Sequence, residues 1–211
     1  YSEEIPHGLQ ISAREEIKKN LLKSLEEESI KYKTAEIYST PTRLALLVRD
    51  LPTEIKIDTK EIRGPKVGVP ENIIEGFMRS HQITKEDLFE KREEKGNFYC
   101  FKKIAKKILT EVVLIKLMPK AITSVNWKKS MRWSDHNLMW GRPLRSILAI
   151  FNNKHLKFEY HHLVSTDGII IVDNFIDKIK KVKNFKEYES QLKANKILLK
   201  QEDRKNNIIK K

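Results

Sequence analysis

The sequence predicts an α+β fold, a mixed or antiparallel sheet with helices packed against it and a small helical insertion at about 70–90. Two observations lead there. Segments with helical and with strand periodicity follow one another in irregular order, unlike the strict alternation of a doubly wound fold. The apolar residues, 39% of the 211, are gathered into short runs although 34% of the chain is charged, so the chain buries a core and is not disordered. The length suits one domain over 1–200, with 201–211 the start of a helix or a linker into a further region.

Ser12 and Glu15 have the spacing of a capping box, and Ile17, Leu21, Leu22 and Leu25 follow on one face, which predicts a helix from Ser12 to Ser29. Ala35–Ser39 and Leu44–Leu51 read as strands joined at Thr40-Pro41-Thr42, the second apolar enough to be covered on both faces. Ile62–Pro70 contains two Gly and two Pro and reads as an irregular loop. Pro70 starts a helix with Ile73, Ile74, Phe77 and Met78 as its buried stripe, and Thr84 caps a second short one. A Lys95-Gly96-Asn97 turn leads into a strand from Phe98 to Ile104. From Ile104 to about Ile122 the positions of Ile108, Leu109, Val112, Val113 and Leu117 predict a second long helix, kinked or ended by Pro119. Ile147–Phe151 and His155–Tyr160 form a hairpin around Asn152-Asn153-Lys154, Ile169–Val172 adds a strand, Phe185–Ala194 a helix and Ile197–Leu199 a last strand.

The 42 Lys and Arg residues outnumber the 29 Asp and Glu, a net charge of +13 that favours an anionic partner such as nucleic acid. Cys100 is the only cysteine, so an internal disulfide and a cysteine zinc site are excluded and an intracellular, cytoplasmic location is expected. No run approaches the length needed to cross a bilayer, and no membrane partner is expected. The opening Tyr1-Ser2-Glu3-Glu4-Ile5-Pro6, without Met, reads as the interior of a longer protein.

The cations concentrate in Lys128-Lys129-Ser130-Met131-Arg132-Trp133 and in Trp140-Gly141-Arg142-Pro143-Leu144-Arg145, directly ahead of the apolar run Ile147–Phe151. Arg forms paired hydrogen bonds to phosphate and Trp offers a flat face to a base. The candidates for contacting a nucleic acid are therefore Lys128, Lys129, Arg132, Arg142 and Arg145, joined by Arg63 and Lys66 beside the Gly64-Pro65 loop, whose backbone amides are candidates for a phosphate. Trp133, Pro143, Gly64 and Pro65 are the structural motif around them. The plainer reading, core or rim aromatics beside a solvated charged face, stands alongside.

Other chemistry finds little footing. His161 and His162 on a strand point to opposite faces, with His155 nearby, and make a poor chelate, so no metal is expected. Ser134, Asp135 and His136 are triad residue types, but adjacent ones, and triad members come from distant segments. Glu3-Glu4 reads as a solvated strand end. No glycine-rich phosphate loop or dinucleotide fingerprint occurs, so no catalytic residue and no cofactor are assigned to this chain.

Lys-Ser-Met-Arg-Trp at 129–133 and Gly-Arg-Pro at 141–143, with Ser2–Pro6, Thr40–Leu46, Arg63–Lys66, Gly76–Ser80 and Lys95–Tyr99 in the same order, resemble the N-terminal part of the beta subunit of the bacterial two-subunit glycyl-tRNA synthetase. The resemblance runs to about Asn153. The family's Gly-His-Arg-Phe stretch is not found where Ser165-Thr166-Asp167-Gly168 runs into Ile169–Val172, so its role is not carried over. The resemblance implies a strand ahead of Tyr1 and a long C-terminal part. It also implies part of an α2β2 glycine-tRNA ligase in which the alpha subunit activates glycine with ATP and Mg while the beta subunit recognises tRNA-Gly. By fold analogy it implies a likeness to the editing-type module of the phenylalanyl-tRNA synthetase beta chain.

Two functional classes follow. One is a tRNA-contacting, subunit-docking module that is not itself catalytic. The other is a stand-alone nucleic-acid-binding or hydrolytic domain, which needs His136, His161 or His162 within reach of a carboxylate in a pocket. A third possibility is a module that chiefly docks protein through its apolar helix stripes.

Overall fold

In a computed structural model the described residues are 1–56, 61–93, 96–102, 107–173 and 176–210. They form two compact units, one of Tyr1–Ile55 with Leu109–Lys211 and one of Lys56–Ile108. Both mix helices with antiparallel strands. The sheets are small ribbons and one three-stranded sheet, not one extended sheet.

Helix α1, His7–Glu27, begins five residues ahead of the expected capping box. Pro6 sets the start: its backbone angle is fixed and its carbonyl accepts from Leu9 and Gln10 at 2.9 and 3.1 Å. Ser12 therefore lies inside the helix, its hydroxyl bonded back to the Leu9 carbonyl at 3.3 Å. At the other end Ser29 turns left-handed, Ser29 N–H bonds Glu26 O and Ile30 N–H bonds Leu25 O. That is a Schellman stop, with Ile30 and Leu25 both buried.

Strands β1 (Thr34–Thr40) and β2 (Arg43–Arg49) pair antiparallel around Pro41-Thr42, as the turn chemistry predicts. The expected burial of β2 on both faces is only half met, because Leu44 to Val48 are all half-buried. Strand β3 (Glu54–Lys56) completes this part.

The second unit corrects three expectations. Ile62–Pro70 is not all loop: β4, Glu61–Lys66, pairs with a later strand and absorbs Gly64-Pro65 as an irregularity between Arg63 and Lys66. Helix α2, Glu71–His81, starts after Pro70 as expected. Its apolar stripe is only half-buried, with Ile73 exposed. After a single 3-10 turn at Lys85–Asp87, closed by the Thr84–Asp87 capping box, β5 (Leu88–Glu93) and β6 (Gly96–Lys102) build the sheet β4-β6-β5. The helical stretch at 70–90 is thus accompanied by a sheet that buries Phe98, Cys100 and Phe101. Lys95 and Ile104 lie outside the described residues.

Residues 107–109 form strand β7, which pairs with β3, and helix α3 runs over Thr110–Thr123. Ile108 and Leu109 are therefore strand, not helix. The start is set from a distance, by Thr110 N–H bonding the Thr53 carbonyl at 2.9 Å. Pro119 neither ends the helix nor prevents a further turn, and Thr123 and Ser124 hydroxyls return to the Pro119 and Lys120 carbonyls.

The expected hairpin around 152–154 is two short ones. Strands β8 (Ile150–Phe151) and β9 (Lys154–His155) flank Asn152-Asn153, both left-handed as a type I′ turn requires. Strands β10 (Glu159–Tyr160) and β11 (Leu163–Val164) flank His161-His162. The two histidines therefore occupy a turn, with His161 left-handed, and strand alternation does not apply to them. Strand β12, Gly168–Asp173, pairs with β13, Ile176–Lys181, an element whose six exposed residues carry no burial signal.

Helix α4 matches its expected span, Phe185–Ala194, capped by Asn184. Ile197–Leu199 is not a strand: Ile197 N–H returns to the Leu192 carbonyl at 2.9 Å, and Leu199 is buried. Helix α5, Gln201–Ile209, follows. Arg204 anchors it by donating to the Leu198, Leu199 and Ser39 carbonyls at 2.7–2.8 Å. The core gathers Tyr38, Ile169, Ile171, Val182, Leu192 and Leu199, while α1 packs on α3, with Leu21 and Leu25 of one and Leu114 and Leu117 of the other buried. Each fully buried leucine of this kind stabilises the fold by about 1.5–3 kcal/mol.

Candidate nucleic-acid interface

Helix α3 hands the chain to the basic stretch, and α1 holds the junction. Asn20 donates to the Ser124 carbonyl at 3.0 Å and Glu16 accepts the Asn126 N–H at 2.6 Å. Val125 is buried next to this junction. Residues 128–130 then rise to the surface, and Lys128, Lys129 and Arg132 are all exposed.

Met131 and Trp140 close the loop between them with reciprocal backbone bonds, Met131 N–H to Trp140 O at 2.8 Å and Trp140 N–H to Met131 O at 3.2 Å. Inside it Ser134 turns left-handed and Leu138 is an apolar anchor with 2% exposure. Trp140 is 4% exposed and meets the Trp127 ring at 4.7 Å and 60°. Gly141 is required by close approach: a Cβ there would lie 2.4 Å from two Trp127 ring atoms. Trp140 is thus core, Trp133 is half-buried, and the loop is a firm support for the cations it carries.

Arg142 is half-buried and reaches the Met131 sulfur at 3.9 Å. Pro143 lends its carbonyl to the Glu3 N–H at 3.0 Å. Glu3 and Glu4 are exposed. Arg145 is paired with Asp177 at 2.5 Å and lies 5.8 Å from the Tyr1 ring centroid. Four of the expected cations, Lys128, Lys129, Arg132 and Arg142, thus belong to one loop and its base, and the fifth is engaged by an acid.

Arg63 and Lys66 belong to the second unit. The Arg63 guanidinium stacks 3.5 Å from the Phe98 ring centroid. Gly64 is a packing position, because a Cβ there would come within 2.6 Å of the Phe77 ring and 2.9 Å of the Tyr99 carbonyl. Pro65 has no N–H to offer, and the Val67 N–H is taken by the Asn97 carbonyl at 2.8 Å. Lys66 folds across Gly96.

The histidines gather, but not as a hydrolase requires. His136 lies flat on His162, centroids 3.5 Å apart and 4° from parallel, with Trp133 edge-on to His162 at 6.1 Å. Desolvation first, then the neighbouring His136 and His161, lowers the His162 pKa. His161 meets the Tyr160 ring and His155 bonds the Ser165 carbonyl at 2.9 Å. Among the described residues no carboxylate hydrogen-bonds any of these rings, and no group of three or more His, Cys, Asp or Glu is placed to hold a metal ion.

Sequence reasoning missed Arg43, which is 6% exposed. It donates to the Ile170 carbonyl and, at 2.9 Å, to Thr42 Oγ1, and it stacks on Tyr1. Burial lowers its pKa. Its place inside an otherwise apolar strand start, Arg43-Leu44-Ala45-Leu46, was the available signal that this cation is internal.

The fold and loop define a class: an α+β module that carries basic side chains on an aromatic-anchored loop. No helix among the described residues is long and apolar enough to cross a membrane. A family model for the glycyl-tRNA synthetase beta subunit matches residues 1–211. The chain is similar to the glycine–tRNA ligase beta subunits of Rickettsia prowazekii (strain Madrid E), 34% identical over 200 residues, and Rickettsia canadensis (strain McKiel), 32% over 213. These alignments cover 94% and 100% of this chain but 30% and 31% of the relatives, so the chain spans about a third of their length. The chain belongs to the glycyl-tRNA synthetase beta subunit family.

Proposed function

We propose that this chain is a tRNA-contacting and subunit-docking part of a cytoplasmic glycine-tRNA ligase, acting in the ATP-dependent glycylation of tRNA-Gly. The observation that carries the reading is the loop 128–142, where Lys128, Lys129 and Arg132 are exposed in a segment anchored by the Trp127–Trp140 pair, in a chain of net charge +13. Exposed cations on a rigid support bind a phosphate backbone with little ordering cost. The chemistry of glycine activation, with ATP and Mg, is assigned to the alpha subunit, and this chain to positioning the tRNA. The likeness to the editing-type module of the phenylalanyl-tRNA synthetase beta chain is kept as a reading of fold alone and assigns no editing activity.

The test is a filter-binding titration with tRNA-Gly and a non-cognate tRNA at several salt concentrations, with a charging assay alongside. Binding that weakens with salt, and no glycyl-tRNA above blank from this chain alone, is the expected result. Absence of any binding at low salt would overturn the tRNA-contact reading, and product formation by the pure chain would overturn the division of labour.

A further inference from the structure

The loop that carries the basic side chains also carries one half of a ring pair that packing does not explain. His136 lies on that loop and His162 in the β10–β11 turn, and their imidazoles are 3.5 Å apart and 4° from parallel. That separation is close to the ~3.4 Å rise between stacked bases in a nucleic-acid strand. A histidine kept for packing spends its ring nitrogens on neighbouring groups, as His155 does on the Ser165 carbonyl at 2.9 Å. Among the described residues neither the His136 ring nor the His162 ring makes a hydrogen bond or an ion pair. His162 is exposed although His136 covers one of its faces, and His136 is half-buried. The turn adds a further sign, because His161 is left-handed, a conformation that favours Gly or Asn.

Both halves of the pair are fixed from behind. Tyr160 is buried at the base of the turn and its phenol hydrogen-bonds Thr123, the last residue of α3. Leu138 and Trp140, both buried, hold the loop. Trp133 stands edge-on to His162 at 6.1 Å, and Met131 and Met139 are exposed beside it in the sequence, a soft and polarisable surround for a flat ligand. Lys128, Lys129 and Arg132 are exposed on the same loop. Desolvation, followed by the neighbouring His136 and His161, lowers the His162 pKa, which keeps that ring uncharged at neutral pH.

We infer that His162, backed by His136, is a stacking site for an unpaired nucleobase of the bound RNA, an inference that rests on the tRNA contact proposed above. Three features select that ligand. An exposed, uncharged ring already stacked on a second ring extends most favourably by a third flat aromatic group, not by an ion. A neutral imidazole has one donor and one acceptor nitrogen, so the two rings also offer hydrogen bonds to the edge of a base. The exposed cations of the same loop attract the phosphates to which the base is joined. A base inside a duplex has no free face to offer, so the site favours single-stranded over double-stranded RNA.

The test compares wild type with His162→Ala, His162→Phe and His162→Leu in filter binding of a short single-stranded RNA and of its duplex, at several salt concentrations and about pH 8, where imidazoles are uncharged. Phe keeps a ring face without a titrating group, and Leu fills a similar volume without a ring face. His162→Ala and His162→Leu are expected to weaken single-strand binding by about 10-fold or more, with the salt slope unchanged because no ionic contact is lost. His162→Phe is expected to stay close to wild type, and duplex binding to be the same in all four proteins. Unchanged single-strand affinity in His162→Ala, equal losses for single strand and duplex, or restoration by Leu as complete as by Phe would each overturn the inference while the tRNA contact stands. A wild-type chain that binds neither RNA would overturn the tRNA contact itself, and this inference with it.

Discussion

Arg145 donates to Asp177 Oδ2 at 2.5 Å, so a guanidinium placed at the end of the basic stretch is held by an acid on β13, 32 residues further along. Both side chains are partly exposed, 44% and 31%, and the pair contributes up to about 1 kcal/mol to stability. Its larger effect is on availability. A paired Arg145 offers less charge to a phosphate than its position in the sequence suggests.

Asp177→Asn is therefore expected to tighten tRNA binding and to steepen its salt dependence by about one unit of slope. Arg142→Ala is expected to weaken binding and to lower the slope by about one. Filter binding at four salt concentrations checks both. Identical slopes in wild type and the two variants would place these arginines outside the contact.

Trp140 and Trp133 are expected to separate in a stability measurement. Trp140→Ala opens a cavity against Trp127 and should cost about 3–5 kcal/mol in urea denaturation. Trp133→Ala, at a half-buried position, should cost about 1 kcal/mol. If Trp133 also stacks a base, its loss removes roughly 1–3 kcal/mol of tRNA affinity at unchanged fold.

Tyr38 hydrogen-bonds the Glu36 carboxylate, and burial, followed by that bond, pushes the phenol up from 10.0 to about 12. The folded state holds this proton more tightly than the unfolded one. The linked stability is complete below pH 10 and is lost as pH rises towards about 12. Tyr38→Phe should flatten that alkaline decline, by about 1–2 kcal/mol after screening at half-exposed Glu36. Denaturation curves of both proteins between these pH values decide it.

Asn184 caps α4, its Oδ1 accepting the Glu187 N–H at 2.9 Å while Glu187 Oε2 accepts the Lys183 N–H at 2.9 Å. Asn184→Ala is expected to cost about 1 kcal/mol and Asn184→Asp to restore most of it. Thermal melting of the two variants is the check.

The sequence by itself determined what short-range chemistry controls. Asn184 and the spacing of Phe185, Tyr188 and Leu192 define α4, Pro41 places the β1–β2 turn, and Asn152-Asn153 makes the left-handed turn of β8–β9. In each case the deciding interaction lies within a few residues, so it can be read along the chain. The family was legible for a related reason, since its motifs are local strings such as Lys129–Trp133 and Gly141–Pro143. The loop carrying the candidate cations was visible from those strings, but its anchoring was not. Only the tertiary structure decided the start of α3, because the Thr53 carbonyl claims the Thr110 N–H, and only it made strand of Arg63–Lys66 and Ile176–Lys181, whose partners are Phe98–Cys100 and β12. It also put His161 and His162 in a turn, Arg145 on Asp177 and Arg43 inside the fold. A backbone or guanidinium group bonds whichever partner the fold brings within about 3 Å, and periodicity carries no record of a partner distant in sequence.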